Sequence, residues 1–130
     1  MQRDDDWLRE AQAELAAARA LRDAGHWSWC CFTAQQSAEK ALKAACERLR
    51  IPHFGRNLNV LVQPIDEREP VPERVKLACG RLNRYYIPTR YPDAFDQGAP
   101  ADQFFDTDAE QAIEDADAVA GFAQRVGGPS

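Results

Sequence analysis

Five stretches of this chain repeat their apolar residues every three to four positions, and none alternates apolar with polar long enough to make a strand. That pattern points to an all-α class, because a helix buries one stripe at a period of 3.6 whereas a half-buried strand buries every second residue. In the first stretch, from about Asp5 to Ala24, Trp7, Leu8, Ala11, Leu15 and Ala18 share a face, and Gly25 follows as a stop. The second runs from about Trp27 to Leu49 and ends before Ile51-Pro52. A short third covers Asn57 to Gln63, with Pro64 closing it and Asp66-Glu67-Arg68-Glu69-Pro70 read as a polar loop. The fourth opens near Pro72, buries Val75, Ala78, Cys79, Leu82 and Tyr86, and stops at Ile87-Pro88. Residues 88–105 read as a long loop, in which Tyr91, Phe95, Phe104 and Phe105 argue against disorder over its full length. The last helix opens on a capping box, Thr107-Asp108-Ala109-Glu110, and turns Ile113, Ala116, Val119, Ala120, Ala123 and Val126 inward. The expected architecture is an antiparallel up-and-down bundle of four to five helices, one domain spanning residues 1–130.

Several function classes are disfavoured. The longest apolar runs fall far short of the ~20 residues that span a bilayer, and the first residues lack the apolar core of a signal peptide, so a cytoplasmic protein is expected. Cys30, Cys31, Cys46 and Cys79 form no CxxC pair and no cluster with His26 or His53, so buried thiols are expected rather than a metal site, and no cofactor is implied. A net charge of −5 argues against general DNA binding. The charge is uneven, however. Between Glu73 and Arg90 the chain carries Arg74, Lys76, Arg81, Arg84 and Arg90 against the single acid Glu73, and Lys40, Lys43, Arg48, Arg50 and Arg56 precede them. Such a surface suits a confined phosphate or an acidic partner, or it is the solvated face of several helices.

The second stretch carries two messages. Trp27, Cys31, Ala34, Ala38, Leu42, Ala45 and Leu49 make one face of mostly small side chains, which lets neighbouring helices approach closely and predicts a central helix. The opposite face holds Trp29, Gln36, Lys40, Lys43 and Glu47, with Phe32 on its flank and Gln35 and Glu39 at the border of the core. Two aromatics on a polar face predict cover by a second subunit, by the 88–105 loop or by a ligand. Trp29 and Phe32 are therefore candidate interface residues of a homo-oligomer, most simply a two-fold dimer. The i,i+4 pairs Gln36–Lys40 and Glu39–Lys43 are equally readable as a surface ladder worth only ~0.2–0.5 kcal/mol each.

Two motifs in order carry a resemblance. Gly25-His26-Trp27-Ser28-Trp29-Cys30-Cys31-Phe32-Thr33-Ala34-Gln35-Gln36, followed by Ala38-Glu39-Lys40-Ala41-Leu42-Lys43, is one. Tyr85-Tyr86-Ile87-Pro88-Thr89-Arg90-Tyr91-Pro92-Asp93 is the other. Together they resemble small stand-alone prokaryotic members of the HEPN family, the "higher eukaryotes and prokaryotes nucleotide-binding" domain, from about Trp7 to Val126. There are two departures. Arg56 stands where the family commonly has a histidine at the start of the short third helix. The Arg-x4-6-His motif of the HEPN ribonucleases is absent from the late helices, where no histidine occurs. Arg48 and His53 fit that spacing by count, but at the end of the second helix.

The resemblance implies a helical bundle that binds a nucleotide or phosphate, oligomerises and pairs with a minimal nucleotidyltransferase in a toxin–antitoxin-like module. Arg90 would fork onto phosphate, Lys40 and Lys43 would add charge, Tyr91 would stack on a base, and Gln36 would give a directional hydrogen bond. Asp93 would bond a ribose hydroxyl or orient Arg90. Alternatively Arg90 and Asp93 cap the bundle and Tyr91 packs into it. No catalytic residue is assigned: without a histidine near neutral pKa, a ribonuclease lacks its usual base. The competing readings are a degenerate ribonuclease toxin and a pure dimerisation module.

Overall fold

The computed structural model describes residues 3–86 and 97–128. Among these the chain is helical, without a strand: α1 (Asp4–Asp23), α2 (Trp27–Arg48), α3 (Leu58–Arg68), α4 (Glu73–Asn83), the single turn α5 (Pro100–Gln103) and α6 (Asp106–Arg125).

The helix ends follow from local chemistry. After α1 the backbone turns left-handed at Gly25 (φ 80°), and the amides of Gly25 and His26 donate back to the carbonyls of Arg22 and Leu21. This is the double reverse bond of a Schellman stop. α2 ends the same way, with the amides of Arg50 and Ile51 on the carbonyls of Glu47 and Cys46, although its left-handed residue is Arg50 (φ 57°) rather than glycine. Burial of Ile51 just beyond the turn offsets that strain.

Three expected boundaries are corrected. α4 ends at Asn83 instead of running to Ile87-Pro88, so Tyr86 lies beyond the helix and is half-buried rather than part of its buried stripe. Pro64 does not close α3, which runs on to Arg68. Ile65 is wholly buried, and the next turn is held from outside: Asp66 accepts the Val71 amide at 2.8 Å and pairs with Lys76 at 2.9 Å. Tertiary burial thus outweighs the missing Pro64 amide. The capping residue of α6 is not Thr107. Helix geometry starts at Asp106, and the Asp108 carboxylate accepts the Phe105 amide at 2.8 Å. Residues 97–105 include the short α5 instead of continuous loop.

α2 is the axis of the bundle and packs against α1, α3, α4 and α6. Its alanines and cysteines, Cys30, Cys31, Ala34, Ala38, Ala41, Ala44, Ala45 and Cys46, are all buried, so four neighbours approach one helix closely. α1 runs antiparallel to it, as the Ser37 hydroxyl donating to the Ala11 carbonyl (2.6 Å) and the Arg48–Asp4 pair (2.9 Å) require. α6 runs parallel to α2: Cys30 meets the Ala109 carbonyl near one end, and Arg48 reaches the carbonyls of Ala123, Gln124 and Val126 near the other. α4 is tied to α6 by a forked pair, Arg81 to Asp115 at 2.9 and 2.8 Å.

Candidate functional site

The polar side of α2 is not a solvent face. Between Cys31 and Leu49 no residue of the helix is fully exposed, and the side chains of Lys40 and Lys43 keep only 17% and 13% of their surface open. These lysines are covered from α1, where Glu14 pairs with Lys40 and the Trp7 ring lies beside Lys43. Trp7 of α1 and His53 of the connection meet edge to face at 5.9 Å, and the Lys43 ammonium lies 5.6 Å from the Trp7 ring.

Each lysine is already paired. Lys43 donates to Glu39 at 3.1 Å, and Lys40 donates to Glu14 of α1 at 2.8 Å and to Gln36 at 3.3 Å. Burial pushes the Glu14 carboxyl above its ordinary pKa, and the opposing pull of Lys40 does not fully cancel that effect. Gln36 donates in turn to Gln35 (3.2 Å), and Gln35, wholly buried rather than at the core border, donates to the Arg56 carbonyl (3.4 Å). A continuous polar chain therefore crosses α2 from Glu14 to Arg56.

At its far end stands a cationic aromatic cluster. The Arg56 guanidinium sits 5.1 Å from the Tyr86 ring centre and donates to the Tyr86 hydroxyl at 2.6 Å. Phe32 packs at 6.1 Å from Tyr86, and Trp29 meets Phe32 edge to face at 5.9 Å with 51% of its surface open. Asn57 and Asn83 fasten the start of α3 to the end of α4: Leu58 N–H donates to Asn83 at 2.8 Å, and Asn83 donates to Asn57 at 3.2 Å. This linkage sets Arg56 beside Tyr86.

The HEPN domain model matches residues 5–126. This chain belongs to the HEPN family. It is similar in structure to TT1696 from Thermus thermophilus, with 36% identity, a TM-score of 0.91, and 95% of this chain and 98% of that one covered. It is also similar to ST0689, an archaeal HEPN homologue, at 29% identity and TM-score 0.82, covering 95% and 97%. An HEPN domain protein from Thermotoga maritima, at 24% identity and TM-score 0.75 over 92% and 94%, shares the fold. No curated protein matches the chain significantly.

In this HEPN protein the expected site residues divide into groups. Gln36 and Lys40 are hydrogen-bonded to each other, and Lys43 follows about one turn further along α2, beside the Trp7 ring. Trp29 and Phe32 lie together nearer the start of α2. Arg90, Tyr91 and Asp93 lie outside the described residues. The pairing of Arg56 with Tyr86 and the role of Glu14 escaped sequence reasoning. Arg56 and Tyr86 are thirty positions apart, Tyr86 reads as part of the buried stripe of α4, and no spacing links a loop arginine to it. Arg48, the arginine of the one Arg-x4-His spacing, is spent on structure: it pairs with Asp4 and caps the last carbonyls of α6. All four cysteines are buried free thiols. Among the described residues no group of His, Cys, Asp and Glu has the arrangement of a metal site, and no helix is long and apolar enough to cross a membrane.

Proposed function

We propose that this HEPN protein binds a nucleotide at the cluster of Arg56, Tyr86, Phe32 and Trp29, with Gln36 at its edge and Arg90, Tyr91 and Asp93 contributed by the segment that follows Tyr86 in the chain. The observation that carries the reading is the Arg56 guanidinium held against the Tyr86 ring and hydroxyl. A guanidinium with its orientation set by an aromatic face is suited to phosphate, because its fork keeps donors for two oxygens. Half-open Trp29 offers a flat surface for a base. Lys40 and Lys43 are each paired with a glutamate and do not serve as open cations. The ribonuclease reading is weaker, since Arg48 is committed to Asp4 and the α6 carbonyls.

Calorimetric titration with purine and pyrimidine nucleotides tests this. Wild type binds, Arg56→Ala weakens binding about 10- to 100-fold, as loss of a hydrogen bond to a charged group does, and Arg90→Ala weakens it comparably. If wild type binds none at millimolar concentration, the reading fails. The assembly reading then takes its place, favoured by the exposed Trp29: a two-fold seam through Trp29 and Phe32, or docking of the minimal nucleotidyltransferase that the family resemblance implies.

A further inference from the structure

The charges of this chain are separated along its length. Residues 48–86 hold eight Lys and Arg against four Asp and Glu, whereas residues 97–128 hold one Arg against seven Asp and Glu. Each region also presents an apolar feature. Where the 51–57 connection meets α3, Pro52, Phe54, Val60 and Pro64 line a shallow cavity of about 170 Å³. Phe54 is 82% exposed and Val60 58%. Two exposed arginines flank the residues of this shelf in the chain: Arg50, two residues before Pro52, and Arg68, one turn beyond Pro64, whose guanidinium also donates to the Leu49 carbonyl at 2.9 Å. In the acidic region Phe105 projects with 60% of its surface open, between the exposed carboxylates of Asp102 and Asp106.

Shelf and knob cannot meet within one molecule. The shelf includes Cys46 near the end of α2, whereas the knob precedes Ala109, which meets Cys30 near its start. The helical rise between Cys30 and Cys46 separates these two levels by roughly 24 Å.

The geometry points to a head-to-tail contact between copies of this chain, in which Phe105 of one molecule enters the Phe54/Val60 shelf of the next and Asp102 and Asp106 face Arg50 and Arg68. The contact joins unlike surfaces, so it propagates into rings or short filaments instead of closing on itself as a two-fold dimer does. One aromatic anchor with a charged rim buries less than the roughly 1,200 Å² of a stable standard interface, so dissociation constants on the order of 100 µM are expected. The charged rim makes the contact weaken as salt screens it. It is independent of the nucleotide site.

Sedimentation velocity from about 10 to 500 µM, a range that brackets such a constant, tests the proposal. Wild type gains mass with concentration at low salt and loses that gain at about 0.5 M salt, where the screening length is only a few ångströms. Phe54→Asp and Phe105→Asp, both at exposed positions, each stay at the smallest species. Mixed one to one, they form a single complex with one copy of each variant that does not grow further, because one variant keeps its knob and the other its shelf. A wild type of constant mass, single variants that assemble like wild type, or a mixture that does not associate would each overturn the proposal. Unchanged circular dichroism of the two variants verifies that they fold.

Discussion

At the scale of single residues, the groups that matter most are buried charges whose partners come from other helices. Asp115 is almost fully buried and is held by Arg81, whose fork supplies two donors, with Gln111 adding a third at 3.0 Å. The same pair raises the Arg81 pKa, chiefly through the side-chain hydrogen bond. Arg81→Ala leaves a buried carboxylate with one neutral donor, and a cost of about 2–3 kcal/mol is expected, below the full buried-pair value because Arg81 is partly exposed. Urea denaturation measures this, and a loss under about 0.5 kcal/mol, the range of ordinary surface changes, contradicts it. In the sequence Arg81 is one of several basic residues in a row. Nothing in that row distinguishes it from Arg74 or Arg84, since its partner lies 34 positions away.

At the scale of elements, the helices were legible where period and punctuation agree. Gly25 after α1 and Pro72 before α4 stand where the structure uses them. α3 was misjudged because proline is a strong local signal whereas the burial of Ile65 and the Asp66 tether to Val71 and Lys76 are not local. Pro64 sits in the body of α3, where proline is disfavoured by roughly 3 kcal/mol against alanine, partly offset by its lower unfolded-state entropy. Pro64→Ala is therefore expected to stabilise the protein by about 1–2 kcal/mol. A lower melting temperature for the variant is the contrary result. The start of α6 was misjudged by a residue or so for a related reason: Thr107 and Asp108 both suit a cap, and the structure uses the carboxylate of Asp108 from inside the first turn.

At the scale of the whole molecule, one core holds the four thiols and half-buried Tyr85 against their charged forms. Burial pushes Cys30 and Cys46 from an ordinary 9.0 to about 11 and Cys79 to about 12, and raises Cys31 further; Tyr85 moves from 10.0 to about 12. These groups are neutral when folded and titrate earlier when unfolded, so their contribution is complete below about pH 9 and is lost as pH rises toward about 11 to 12. Each fully shifted thiol removes about 1.4 kcal/mol per pH unit inside that window. The melting temperature is expected to fall steeply between about pH 9 and 10.5, and thiol reagents to label the native protein only through unfolding. Constant melting temperature across that interval, or rapid native labelling near pH ~8, is incompatible with this core.

What the amino-acid order determined alone is the class of structure and the family: helical period, small residues on α2 and the two motifs are properties of neighbouring positions, and local positions decide helix, stripe and stop. Which polar residues meet was decided only by tertiary structure. Lys40 and Lys43 lie on a face that the pattern assigns to solvent or ligand, yet α1 supplies Glu14 and Trp7 to cover them. Arg56 becomes a held cation only because Asn57 and Asn83 fasten α3 to α4 and bring Tyr86 under it. The physical reason is range: helix period acts over about one to four residues, whereas a charge pair between helices depends on packing whose information is spread over every buried side chain.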